Sequence, residues 1–144
     1  MDTKERILVS ACLLGVPCRY DGKSVLCEGV IRLKERAQLV PVCPEQLGGL
    51  ATPRTPAERR GEAVVTRDGR DVTAQYRRGA QEALRLARLF GCAKAILKGR
   101  SPSCGCGLIY DGSFSGKLIP GEGVTAQLLR ENGVEVRTEM DADR

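Results

Sequence analysis

Four short aliphatic runs recur along the chain, with segments of different periodicity between them, and that alternation limits the folds open to it. The runs are RILVS (Arg6 to Ser10), AQLVPV (Ala37 to Val42), AKAILK (Ala93 to Lys98) and VEVR (Val134 to Arg137). Each has the length of a strand. Between the first two lies CEGVIRLKERA, which suits a short helix, so the opening third reads as a βαβ unit. The strongest helical pattern is TAQYRRGAQEALRLARLFG: Thr73 is placed to cap it, Tyr76, Ala80, Ala83, Leu84, Ala87 and Phe90 form one apolar stripe, and Gly91 ends it. A second helix, GVTAQLLREN, stops at Gly133. Strands alternating with helices predict an α/β fold, a compact three-layer domain with a small, mostly parallel sheet and right-handed crossovers. Two peripheral β-hairpins are expected. One turns at Asp68-Gly69 within EAVVTRDGRDVT, and the other joins GLIYDG to GKLIP. A length of 144 residues suits one domain over 1–144. The stretch from Pro44 to Gly61 is the one long connection, and connections of that length are often functional.

Composition narrows the class. With no Trp, two Phe and three Tyr, the core must be aliphatic, and stacking on bases is not an expected mode of binding. The formal charge of +5 favours anionic partners without demanding them. Its basic residues are scattered, and the densest group, Arg54 to Arg60, reads as a solvated loop or a lid. No apolar stretch approaches the ~20 residues that span a bilayer, so no membrane partner is expected. The acidic and basic N-terminus MDTKERILVS lacks the apolar core of a secretory signal, which predicts a cytoplasmic protein whose seven cysteines are thiols or metal ligands rather than disulfides.

The cysteines then carry the chemistry. In open α/β sheets ligands bind beyond the carboxyl ends of the parallel strands. Cys12 follows the first strand, Cys43 the second, and Cys104 and Cys106 the third, all in loops of Gly, Pro and Ser. Cys27 and Cys92 have the surroundings of ordinary core cysteines, while Cys18 competes for a place in the crevice. The chain has no histidine, so any transition metal must be held chiefly by sulfur, which suits zinc, copper(I) or an iron–sulfur cluster. Every C-x-x-C spacing is missing, which excludes zinc knuckles and ferredoxin-type runs and weighs against a thiol redox protein. Three nonlocal ligands would leave one position open for chemistry. Beside them, Glu45 in CPEQLGG is placed for proton transfer. KGRSPSCGCG concentrates Ser101, Ser103 and glycines into a nest that could bind an anion or a carbonyl oxygen, with Ser103 as a substrate contact.

The motifs VSACLLGVPCRYDG, VPVCPEQLGGL and LKGRSPSCGCGLIYDGSFSGKLIPGEGVTAQLL, in that order, resemble the thiouracil desulfidase family, short bacterial proteins formerly labelled a domain of unknown function. The likeness runs from about Leu8 to Leu129. It implies a [4Fe-4S] cluster on three cysteines, matched here by Cys12, Cys43 and Cys104, with one iron free to take sulfur from a thiolated pyrimidine base or nucleoside. The family's acid falls on Glu45 and its serine on Ser101, implied to assist substrate binding, proton movement and attack of water. The implied reaction is non-redox replacement of C=S by C=O. Cys106 departs from the small residue usual at that place and leaves open whether it or Cys104 completes the site. Related proteins act on thiouridine in tRNA, often with a further domain. A metal-binding module that recognises or regulates RNA, or a tRNA desulfidase, are the competing readings.

Overall fold

The computed structural model describes residues 4–141. The chain runs through β1 (Glu5–Ser10), a 3-10 turn (Ala11–Leu14), α1 (Glu28–Ile31) continued by a 3-10 turn (Arg32–Glu35), β2 (Ala37–Val42) and α2 (Pro44–Leu47). It continues through β3 (Ala57–Arg60), β4 (Ala63–Thr66), α3 (Thr73–Phe90), β5 (Lys94–Leu97), β6 (Cys106–Tyr110), β7 (Leu118–Glu122), α4 (Val124–Glu131) and β8 (Glu135–Thr138).

One four-stranded sheet has the order β2-β1-β5-β8, and every pairing in it is parallel. Parallel sheets must be covered on both faces because each crossover lays a helix against one of them. The burial of β1 shows it. Leu8 joins Ala83, Leu84, Ala87 and Leu129 of α3 and α4 on one side, while Ile7 and Val9 join Leu13, Val30 and Leu33 on the other. This is the predicted three-layer α/β arrangement. The strand order reverses between β1 and β5, so the topological switch point lies beyond Ser10 and Leu97. Among the described residues no helix is long and apolar enough to cross a membrane.

Three local expectations differ from what the chain does. The Asp68-Gly69 turn is present and brings Val65 opposite Asp71, but the main partner of β4 is β3, inside the stretch read as a long connection. Thr73 does not cap α3: its N–H donates to the carboxylate of Asp71 at 2.9 Å, and its own hydroxyl oxygen accepts the Val64 N–H. Phe90, assigned to the buried stripe, is partly exposed at the end of the helix. Gly91 does stop it, in the left-handed region at φ 69°.

Gly79 sits in the middle of α3, where glycine costs roughly 1 kcal/mol relative to alanine. The reason lies in α2. A Cβ on Gly79 would overlap the carbonyl oxygen of Pro44, and one on Gly48 would overlap that of Gln75. The two helices therefore touch backbone to backbone, and this seats the segment that carries Cys43 and Glu45. Gly79→Ala should lose about 1–3 kcal/mol of stability through overpacking, despite its better helix propensity. Denaturant unfolding of the variant beside the parent checks it, and a stabilised variant would refute the contact.

Candidate active site

Cys12, Cys43 and Cys104 line one cavity of about 460 Å³ at the carboxyl edge of the sheet. The route to it differs for each. Cys12 lies in the 3-10 turn that follows β1 and is buried there, while Cys43 is the residue that turns β2 into α2. Cys104 lies in the loop after β5, and its position is set by hydrogen bonds. The hydroxyl oxygen of Ser101 accepts the N–H groups of Ser103 and Cys104 at 3.1 and 3.0 Å. The carbonyls of Pro102 and Ser103 accept the first amides of α4, those of Val124, Thr125 and Ala126. A Cβ on Gly123 would collide with Ser103 and Cys104, so only glycine lets the loop rest on the helix.

Glu45 and Ser101 line the same cavity. Ser103 does not. It is fully buried, its hydroxyl is paired with that of Thr125 at 2.8 Å, and it is absent from the cavity wall. The expected substrate contact at Ser103 is thus corrected: its carbonyl and hydroxyl hold the loop to α4. Cys106 lies on β6 with its sulfur 3.7 Å from the carbonyl oxygen of Val136, away from the cavity that Cys104 enters. Cys18 is a further buried thiol of the cavity wall.

Sequence reasoning missed several residues here. Ser10 accepts the Lys98 N–H at 2.9 Å and hydrogen-bonds the thiol of Cys104, linking β1, β5 and the cysteine loop. Arg54 is not part of a solvated loop: its side chain is only 9% exposed and pairs with Glu45 at 3.4 Å. Its guanidinium also donates to the carbonyl of Cys18 at 3.1 Å and to the hydroxyl of Thr52 at 3.0 Å. Arg59 is likewise buried, donating to the carbonyls of Gly61 and Glu122 at 2.8 and 2.7 Å. No local signal separates these arginines from exposed ones, since each finds its partner across the fold.

The electrostatics follow from burial. Desolvation, then the charge of Glu45, pushes the Cys12 thiol up to about 11 and the Cys43 thiol up to about 12. Burial raises Cys104 well above the ordinary thiol range, with the Ser10 hydrogen bond opposing. Burial also raises Glu45, against the lowering pull of Arg54. Three thiolates can share this space only with positive charge among them. Among the described residues, no three His, Cys, Asp or Glu side chains converge closely enough to hold a single metal ion. An all-sulfur donor set spread around a cavity fits a polynuclear iron–sulfur cluster, whose thiolates bind separate irons, better than a closed mononuclear zinc site.

The chain belongs to the family described as 2-thiouracil desulfurase, which matches residues 7–141. It is similar to two further proteins over nearly its whole length. The uncharacterized protein YbbK of Bacillus subtilis (strain 168) is 46% identical over 145 residues, 94% of this chain and 96% of that protein. The solved structure of the [4Fe-4S]-dependent thiouracil desulfidase TudS is 51% identical, with a TM-score of 0.90 over 95% of this chain and 92% of that one.

The Arg54–Glu45 pair is nearly buried, so removing one partner strands the other. In a double-mutant cycle, Arg54→Met and Glu45→Gln together should cost less than the sum of the two alone, with a coupling of about 0.5–3 kcal/mol in denaturant unfolding. Additive losses would mean that the two side chains do not interact.

Proposed function

We propose that this chain is a [4Fe-4S]-dependent desulfidase that replaces C=S by C=O in a thiolated pyrimidine base or nucleoside, releasing the sulfur as sulfide without net redox change. One observation carries the reading. Three free thiols from the ends of three parallel strands meet at one cavity that also holds a nearly buried carboxylate and a serine hydroxyl. In this reading residues 1–144 act as one catalytic domain in a reducing cytoplasm, and all seven cysteines being free agrees with that compartment. A cavity of about 460 Å³ has the size of a small-molecule site rather than of a polynucleotide groove. The TudS structure, described as a [4Fe-4S]-dependent thiouracil desulfidase, supports both the cofactor and the substrate class.

Cys12, Cys43 and Cys104 would hold the cluster. When bound, it supplies an iron of high sulfur affinity that polarises the C=S bond and accepts the departing sulfur. The remaining work falls to side chains. Both lone pairs of the Ser101 oxygen are taken by the N–H groups of Ser103 and Cys104, so within the cavity this hydroxyl can only donate. It would donate to a heteroatom of the substrate ring and orient the thiocarbonyl. Glu45 would take a proton from the water that attacks the thiocarbonyl carbon, and later return one to the leaving sulfide or the ring nitrogen. Arg54 keeps that carboxylate in place from the side.

Anaerobically reconstituted protein should contain iron and acid-labile sulfide in equal amounts and should release sulfide from 2-thiouracil with formation of uracil. Colourless, iron-free protein after such treatment would end the proposal. Cys104→Ala should lose the iron while Cys106→Ala keeps it, as read by iron analysis and visible absorption. The reverse pattern would move the third ligand to Cys106. Glu45→Gln should retain iron and lose roughly 10²–10⁴ in kcat. Unchanged turnover in that variant would remove Glu45 from proton transfer.

A further inference from the structure

The chain holds five aromatic residues, and four of them, Tyr20, Tyr76, Tyr110 and Phe114, line the one cavity that the three thiols enter. A count this low gives no sign of base stacking, yet the few rings the chain has are gathered at the site. Phe114 stands out among them. It lies at the tip of the β6–β7 hairpin with φ 58°, a left-handed conformation that is costly for a residue with a side chain.

The tip is clamped in that conformation. One carboxylate oxygen of Glu58, on β3, accepts both the Gly112 N–H at 3.0 Å and the Phe114 N–H at 3.1 Å. Arg60 of the same strand donates to the carbonyl of Gly112 at 2.7 Å. The guanidinium of Arg67 lies against the ring, 5.7 Å from its centroid, and also belongs to the cavity wall. An aromatic ring and a guanidinium plane are the two side-chain groups on which heterocyclic bases stack. The pair, held by contacts from β3 and from the turn after β4, lies on the wall of the cavity that contains Glu45 and the thiols.

We infer that Phe114, with Arg67 laid against it, is the ring-binding wall of the site, and that it favours planar heterocycles over acyclic thioureas bearing the same N–C(=S)–N unit. The inference rests on the desulfidase reading and adds to it the residues that select the ring. The hairpin β3–β4, which carries the clamp and Arg67, has on this account a binding role rather than a decorative one.

The test uses the anaerobically reconstituted holoprotein and three variants, Phe114→Leu, Phe114→Tyr and Arg67→Gln. Phe114→Leu keeps apolar bulk but removes the ring. It should raise the KM for 2-thiouracil and the inhibition constant of uracil by about 5- to 150-fold, the range that stacking contributes. Its kcat and iron content should stay near the parent values. Phe114→Tyr, which keeps the ring, should restore both constants. Arg67→Gln, at an exposed position, should raise them by a few-fold. N-methylthiourea, which has no ring to stack, should show the same KM in parent and variants. Unchanged constants for uracil and 2-thiouracil in Phe114→Leu would overturn the inference and leave the desulfidase reading intact. An equal rise for N-methylthiourea would also overturn it, since the wall would then be acting by shape alone. Loss of iron in Phe114→Leu would mark the ring as a structural support and likewise overturn it. Parent holoprotein that acts on neither compound would bring down the desulfidase reading and this inference together.

Discussion

Parallel pairing of β1 with both β2 and β5 is the constraint on which the rest depends. It forces three segments from distant parts of the chain to end at the same edge of the sheet, pointing the same way. Where they end, the chain changes direction into a 3-10 turn, a short helix and a glycine-rich loop, and each change exposes one thiol to the common space. An antiparallel arrangement of the same strands would send alternate ends to opposite edges. The site is thus a consequence of topology before it is a matter of side chains.

Around that edge the backbone is held by contacts that tolerate little variation. Two glycines let α2 and α3 meet at the peptide groups, which fixes the start of the segment with Cys43 and Glu45. Another glycine lets the Cys104 loop lie on the first turn of α4, while Ser10 and Ser101 satisfy the amides left over. A rigid frame of this kind is what positioned chemistry requires, since displacements on the order of 1 Å are costly at a reacting centre.

How much of this was legible in the sequence depended on how local each signal was. The four strand runs and the two long helices were readable because a period of two or 3.6 repeats within a few residues. The cysteines at strand ends were readable because turn chemistry and the crevice rule combine over short distances. Strand β3 was not, since AERR is charged and shows no apolar alternation; the carbonyls that its Arg60 and Arg59 side chains reach, those of Gly112 and Glu122, lie far along the chain. Arg54 is hidden from a local reading for the same reason. Its burial is decided by Glu45 and the carbonyl of Cys18, which composition cannot reveal. The makeup of its loop points Ser103 toward a substrate, whereas its hydroxyl is taken by Thr125 of a helix still to come. The gathering of four aromatic rings was invisible to a count of how few there are.

The seating of the Cys104 loop on α4 has one more consequence. The amino end of a helix carries a partial positive charge that favours nearby anions. Cys104 lies against that end and accepts a hydrogen bond from Ser10, while Cys43 stands two residues from the carboxylate of Glu45. The three sulfurs are accordingly held unequally: Glu45 raises all of them, opposed by Lys98 and Arg19 at Cys12, by the Gln46 amide and Arg54 at Cys43, and by the Ser10 hydroxyl at Cys104.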